Sequence, residues 1–252
     1  MILFIKQMIE IPSLFLYLDF MQYLGLNRKI MKTLICTATS LELMGIFPSI
    51  SSSDIENAGT GFEKEGLLFL ETGIGVLSTY ASLVRFHLNT HVDRVLQVGI
   101  AGAYAAARAE VRVLGTPVII EKEVVADLGA EDSDSFLTLN DLELGKPEYY
   151  ESKNLTIFDD LFGDSLKTLP VVTGATVNTA TGKEATGILR AAKYGVEVES
   201  MEGAGALKFG NDFGISVLQL RSISNIATTR DRESWDIVGA IKSLRNLCGV
   251  LL

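Results

Sequence analysis

Downstream of Met31 the chain alternates between two hydrophobic patterns. Short β-branched and aliphatic runs near Thr33–Ala38, Leu67–Glu71, Arg94–Val98, Pro117–Val124, Pro170–Thr173, Val196–Val198 and Ser216–Ser222 read as strands. Stretches with helical spacing lie between them, near Leu41–Phe47, Val76–Asn89, Lys183–Tyr194, Met201–Phe213 and Asp236–Val250. This order predicts an α/β fold, a three-layer α/β/α arrangement around a central mixed, largely parallel sheet. In such sheets the ligand crevice lies beyond the carboxyl ends of the strands, so chemistry is to be sought in the residues that follow each strand.

Two segments interrupt the alternation. Ser49–Gly61 is polar and Gly/Ser-rich and reads as a loop. Asp127–Asp164 is weakly periodic, with Phe136, Tyr149, Tyr150, Phe158 and Phe162 scattered through it, and reads as a lid, an interface segment or a solvated excursion. It holds eleven acidic residues and two basic ones, which accounts for the whole net charge of −9. A chain with no clustered basic face is not built to displace counterions from a phosphate backbone, so nucleic acid is not an expected partner.

Residues 1–30 are apolar but interrupted by Lys6, Glu10 and Asp19, too short a run to span a membrane and without the basic start of a signal peptide. A domain-like sequence begins afresh at Met31. The expectation is an N-terminal extension outside the core, with Met31 as the biological start, and one domain over 31–252 in a cytoplasmic protein with no membrane partner. With 48% apolar residues and no internal repeat, 252 residues suit one sizeable core.

Candidate chemistry is sparse. Cys36 and Cys248 form no metal-ligand spacing and read as reduced core residues. His87 and His91 are spaced i, i+4, but no HExxH pattern completes a site, so packing is the expected role, with no metal and no cofactor. Gly73-Ile74-Gly75 lacks the third glycine of a dinucleotide fingerprint and reads as a tight strand-to-helix turn that lets backbone approach a ligand. Gly99-Ile100-Ala101-Gly102-Ala103 reads as a second such turn. Glu42, at the start of a helix, suits the helix dipole or a ligand. Glu202, among Gly and Ala where a strand gives way to a helix, has no compensating cation adjacent in sequence and reads as a ligand-binding group. Two carboxylates on one crevice are the minimum equipment for glycosidic hydrolysis.

The runs Val198-Glu199-Ser200-Met201-Glu202-Gly203-Ala204 and Arg221-Ser222-Ile223-Ser224-Asn225 resemble the two signatures of the purine nucleoside phosphorylase and nucleosidase superfamily, in their usual order. The likeness extends over nearly all of Met31–Leu252. Within that superfamily it is closest to the futalosine hydrolases, through Asn225 and the tail Arg230-Asp231-Arg232-Glu233-Ser234-Trp235-Asp236-Ile237.

The resemblance implies a nucleosidase in which Glu42 activates water, Glu202 binds the ribose hydroxyls and Met201 packs against the sugar. Gly75, Ala101 and Gly102 would line the nucleoside pocket. Asn225 falls where enzymes for 6-aminopurines commonly carry Asp. An amide NH2 suits the two acceptors of a 6-oxopurine, which points to hypoxanthine as leaving base, and futalosine of menaquinone biosynthesis as substrate. Trp235 would cover the nucleoside, with Arg232 or Arg230 reaching a carboxylate on it. Phosphorylases of the superfamily hold phosphate with arginines, whereas Thr37–Leu43 contains none and Gln97 and Ile100 occupy the second turn, so water is the expected nucleophile. Alternatives are a methylthioadenosine/adenosylhomocysteine nucleosidase, disfavoured by Asn225; a phosphorylase, disfavoured by Gln97 and Ile100; and a non-catalytic nucleoside binder, disfavoured by retention of both glutamates. A homo-oligomer is expected from the resemblance and the apolar helices.

Overall fold

A computed structural model describes residues 31–251 except 57–60, 134 and 147; the expected extension over 1–30 lies outside the described residues. The elements run β1 (Thr33–Thr37), α1 (Ser40–Ile46), α2 (Ser52–Glu56), β2 (Phe62–Lys64), β3 (Leu67–Glu71), α3 (Val76–Asn89), β4 (Arg94–Tyr104) and β5 (Pro117–Val125). There follow β6 (Gly129–Asp132), β7 (Ser135–Thr138), β8 (Tyr149–Glu151), α4 (Asp159–Phe162), β9 (Val171–Thr176), α5 (Glu184–Tyr194), β10 (Val198–Ser200), α6 (Gly203–Phe213), β11 (Ser216–Ala227) and α7 (Ile237–Cys248).

Nine strands form one mixed sheet in the order β10-β9-β5-β11-β4-β1-β3-β2, with β8 added on β5. Consecutive residues of the central strands point into two different cores. Ile35, Leu96 and Leu218 face α1 and α7, while Leu34, Val95 and Val217 face α3 and α6. Because both faces are covered, these strands carry unbroken apolar runs instead of an alternation.

A simple three-layer sheet is not what forms. Strand β10 also pairs antiparallel with β4, matching Val198 to Ala103 and Glu199 to Gly102, and this closes β10-β9-β5-β11-β4 into a ring with β1, β3 and β2 as an open wing. The closure corrects a second expectation. Gly99–Ala103 is not a turn but the continuation of β4, which stays paired with β11 as far as Ala227↔Tyr104, with a register shift between Ile223 and Asn225. Small side chains let one strand accept β11 and β10 on opposite edges while other groups crowd its face.

The acidic stretch is also more ordered than its composition implies. Phe158 and Phe162 are buried in the core beside α7, and Asp160 forms an ion pair with the buried Arg94, so the end of this segment is neither lid nor solvated excursion. Gly129–Thr138 forms a separate two-stranded hairpin. Cys36 and Cys248 are free and buried, with thiols pushed up to about 12 by burial. His87 packs edge-on against Phe209 and Phe213. No helix among the described residues is long and apolar enough to cross a membrane.

Helices α3 and α6 touch at Gly205, where an added Cβ would lie 2.5 Å from the Val76 carbonyl oxygen, a backbone atom that cannot swing aside. Gly205→Ala is expected to lower stability by about 1–3 kcal/mol through overpacking, read as a fall in the thermal unfolding midpoint. An unchanged midpoint would show that the helices separate at little cost.

Candidate active site

The carboxyl ends of β1, β4, β10 and β11 open into a cavity of about 370 Å³ whose lining includes Glu42, Ile100, Met201, Glu202, Asn225 and Trp235. Glu42 sits in the first turn of α1. Its amide donates to the N-cap hydroxyl of Thr39 at 3.2 Å, and that hydroxyl donates to Glu42 Oε2 at 3.1 Å, so the cap both starts the helix and aims the carboxylate. The other oxygen, Oε1, accepts from the Ile100 amide at 3.1 Å. Glu202 occupies the N-cap position of α6. Its Oε1 accepts from the Gly75 amide at 3.3 Å, and Oε2 from the Met201 amide at 3.3 Å. Gly73 and Gly75 both have positive φ, as the expected tight turn requires.

The cation missing from the neighbourhood of Glu202 in sequence is present in space. Arg221, 2% exposed, donates from Nη1 to Glu202 Oε2 and to the Ile100 carbonyl, each at 3.3 Å. Its Nε donates to Gln219 Oε1 at 3.0 Å, and Gln219 in turn donates to Glu123 at 2.5 Å. Glu123 also accepts from Thr176 at 2.8 Å and Ser200 at 3.3 Å. A Cβ on Gly99 would stand 2.6 Å from Arg221 Nη1 and 2.8 Å from Glu42 Oε1, so Glu42 and Arg221 converge over a residue that must be glycine. Of the three buried carboxylates around the buried guanidinium, Glu202 bonds it directly, Glu123 is joined to it through Gln219, and Glu42 feels its charge. Burial pushes the Glu42 carboxyl above its ordinary range and the nearby Glu202 adds to the rise, while Arg221 and the Ile100 amide oppose it. Burial raises Glu123 likewise, against Arg221 and its three side-chain donors.

Of the other residues singled out in the sequence, Ala101, Gly102, Met201, Asn225 and Trp235 line the cavity, and Gly75 stands behind it holding Glu202. Asn225 Oδ1 accepts from Ser224 at 2.9 Å, which leaves its NH2 donors for a ligand. Arg232 is exposed and does not line the cavity; Arg230 does, with its guanidinium 5.0 Å from the centre of the Trp235 ring. Sequence reasoning passed over Arg221, Glu123, Glu199 and Thr181. Arg221 carried a signal, since it and Gln219 are long polar side chains two apart, interleaved with the apolar Leu218 and Leu220 of a strand.

Solved nucleosidase structures share this architecture. Futalosine hydrolase of Helicobacter pylori superposes with a TM-score of 0.65 at 18% identity, over 89% of this chain and 97% of that one. The methylthioadenosine/adenosylhomocysteine nucleosidase of Streptococcus pneumoniae, solved with 8-aminoadenine, gives 0.63 at 22%, over 88% and 97%. The fold is therefore of the nucleoside phosphorylase and nucleosidase class. Sequence similarity narrows the class: futalosine hydrolase of Streptomyces coelicolor is 30% identical over 231 residues, 88% of this chain and 95% of the relative. That of Thermus thermophilus is 30% identical over 189 residues, 74% and 81%. No family model matches the chain. The chain belongs to the futalosine hydrolase family.

A glutamate acts as a base only when ionised, and the folded state raises the Glu42 pKa. Activity that uses Glu42 in this way is expected to be absent at low pH and to rise with pH through a value above the ordinary 4.5. The pH dependence of kcat/KM reads it; an acid limb at or below 4.5 would separate Glu42 from the base.

Proposed function

We propose that the chain hydrolyses the N-glycosidic bond of futalosine and releases hypoxanthine, as a step of menaquinone biosynthesis in the cytoplasm. The observation that carries the reading is the pair of buried carboxylates, Glu42 and Glu202, on one cavity, with Arg221 bonded to Glu202 and close enough to Glu42 to act on its charge. As the bond from C1′ to the base breaks, the base leaves with the electron pair and positive charge develops on the ribosyl centre. The two carboxylates stabilise that charge in a site with little water. Glu42 takes a proton from the attacking water as its oxygen bonds to C1′, Glu202 holds the ribose hydroxyls, and Met201 packs against the sugar. The Asn225 NH2 meets the N7 and O6 acceptors of the departing base.

Hydrolysis is favoured over phosphorolysis by the charges on the cavity wall. Glu42, Glu199 and Glu202 face it, against Arg230 as the lone cation among the described residues that line it. A phosphate dianion there would meet three carboxylates. Arg230, set over Trp235, is the group placed to recognise a carboxylate on the substrate, in preference to Arg232. Leu41 and Ile74, which line the cavity yet are more than half exposed, and Leu77 at 81% exposure support a homo-oligomer. Two free buried thiols suit the reducing cytoplasm.

Purified protein is expected to release hypoxanthine from futalosine with or without phosphate, while inosine and methylthioadenosine are left intact. A phosphate requirement would make it a phosphorylase, and adenine release would favour the methylthioadenosine reading. Glu42→Gln is expected to lower kcat by about 10²–10⁴-fold with binding largely kept; wild-type turnover would remove Glu42 from the mechanism. Asn225→Asp is expected to cut the preference for 6-oxopurines by about tenfold, the worth of one hydrogen bond to a buried partner, in competition assays with the 6-amino analogue. Unchanged preference would discredit the amide argument.

A further inference from the structure

Between β9 and α5 the chain crosses one wall of the cavity, to which Val177, Ala180 and Thr181 contribute. A crossing with no secondary structure has no ladder for its amides, so its shape is set by whatever accepts them. Here the acceptors lie elsewhere in the fold. Val177 donates to the Ser200 carbonyl at 2.9 Å, and the Asn178 and Thr179 amides both donate to Asp127 Oδ2, at 2.6 and 3.1 Å. The Asn178 side chain adds a bond to Oδ1 at 3.1 Å. At the other end Thr181 donates its amide to Glu199 Oε1 at 2.8 Å and its hydroxyl to Oε2 at 2.6 Å. From 177 to 181, the one backbone N–H with no acceptor among the described residues is that of Ala180, which borders the cavity.

Glu199 is itself fixed from behind. It is 6% exposed and accepts from the buried Tyr104 hydroxyl at 2.8 Å and from Arg190 at 3.4 Å. Arg190 also donates to the Thr179 carbonyl and the Thr181 hydroxyl, both at 3.0 Å. The backbone of Glu199 pairs with Gly102, at the junction that closes the ring of strands. We infer that Glu199 and Asp127 are positioning residues that clamp 177–181 at both ends, so that the nucleoside meets a preformed wall with the Ala180 amide free to donate to it.

This inference rests on the nucleosidase reading for its kinetic consequence. Among their hydrogen bonds, neither clamp carboxylate touches Glu42 or Glu202. Loosening the wall therefore removes binding present equally in ground and transition states, which raises KM and spares kcat.

The test compares Thr181→Val, which removes the hydroxyl donor and keeps the shape, with Thr181→Ser, which restores it, and with Asp127→Ala at the exposed end. For Thr181→Val, KM for the nucleoside that the wild type hydrolyses is expected to rise about tenfold with kcat within about threefold, and Thr181→Ser to return KM to the wild-type value. Hydrogen exchange of the 177–181 amides in unliganded protein is expected to quicken in Thr181→Val and Asp127→Ala, a readout that needs no substrate. Wild-type KM in Thr181→Val, a loss in kcat with KM unchanged, or unaltered exchange would overturn the clamp. Failure of the wild type to cleave futalosine counts against the substrate assignment alone, and exchange then decides the clamp.

Discussion

A single buried guanidinium governs this site. Arg221 lies among Glu42, Glu202 and Glu123, all nearly excluded from water, and a lone ion in such surroundings is costly unless paired and hydrogen-bonded. One positive charge against three carboxylates leaves the pocket biased toward negative charge. That bias suits the proposed cation on the sugar, and Glu202 adds to the rise that burial imposes on the Glu42 carboxyl, against the opposing charge of Arg221. Without Arg221, Glu42 and Glu123 would drift further toward protonation, and with a second cation they would stay ionised but lose their pull on a proton.

The scaffold serves this arrangement. Strand β11 lies in the middle of the sheet, between β4 and β5, and brings Gln219 and Arg221 onto the face where Gly203 leaves room for the first and Gly99 for the second. Glu42 arrives from the helix after β1 and Glu202 from the start of the helix after β10, and amides outside those helices, of Ile100 for the first and of Gly75 and Met201 for the second, orient the carboxylates. The sheet sets where these groups can be; their hydrogen bonds set how they point.

Much of this was legible in the sequence, and the failures have physical causes. Glu202 could be singled out because a carboxylate beside small residues at a strand end has few structural uses, whereas Glu42 suited a helix dipole equally well and was picked out by the resemblance. The partner of Glu202 stayed hidden because β10 and β11 are brought together only by the ring, and no local pattern reports a pairing across nineteen residues of chain and a helix. Gly99–Ala103 was misread because glycine and alanine weaken strand propensity, while here the pairing on both edges of β4 outweighs it. The acidic segment concealed its buried end because Phe158 and Phe162 are two residues among many charges, and burial of Arg94 against Asp160 is a tertiary fact. Arg232 and Arg230 could not be told apart from the motif, because a two-residue displacement along a loop decides which of them lines the cavity.

The central place of β11 bears on how the enzyme comes into being. Its neighbours in the sheet, β4 and β5, precede it in the chain by roughly a hundred residues, so they must hold a gap, or pair provisionally, until it arrives. Contacts of such long sequence separation are slow to form. Glu42 is translated early, but Arg221, whose charge it feels, reaches the ribosome exit only after most of the chain. A nascent or half-folded chain thus carries the Glu42 carboxyl without its electrostatic setting, which is complete only when the last strand slots home.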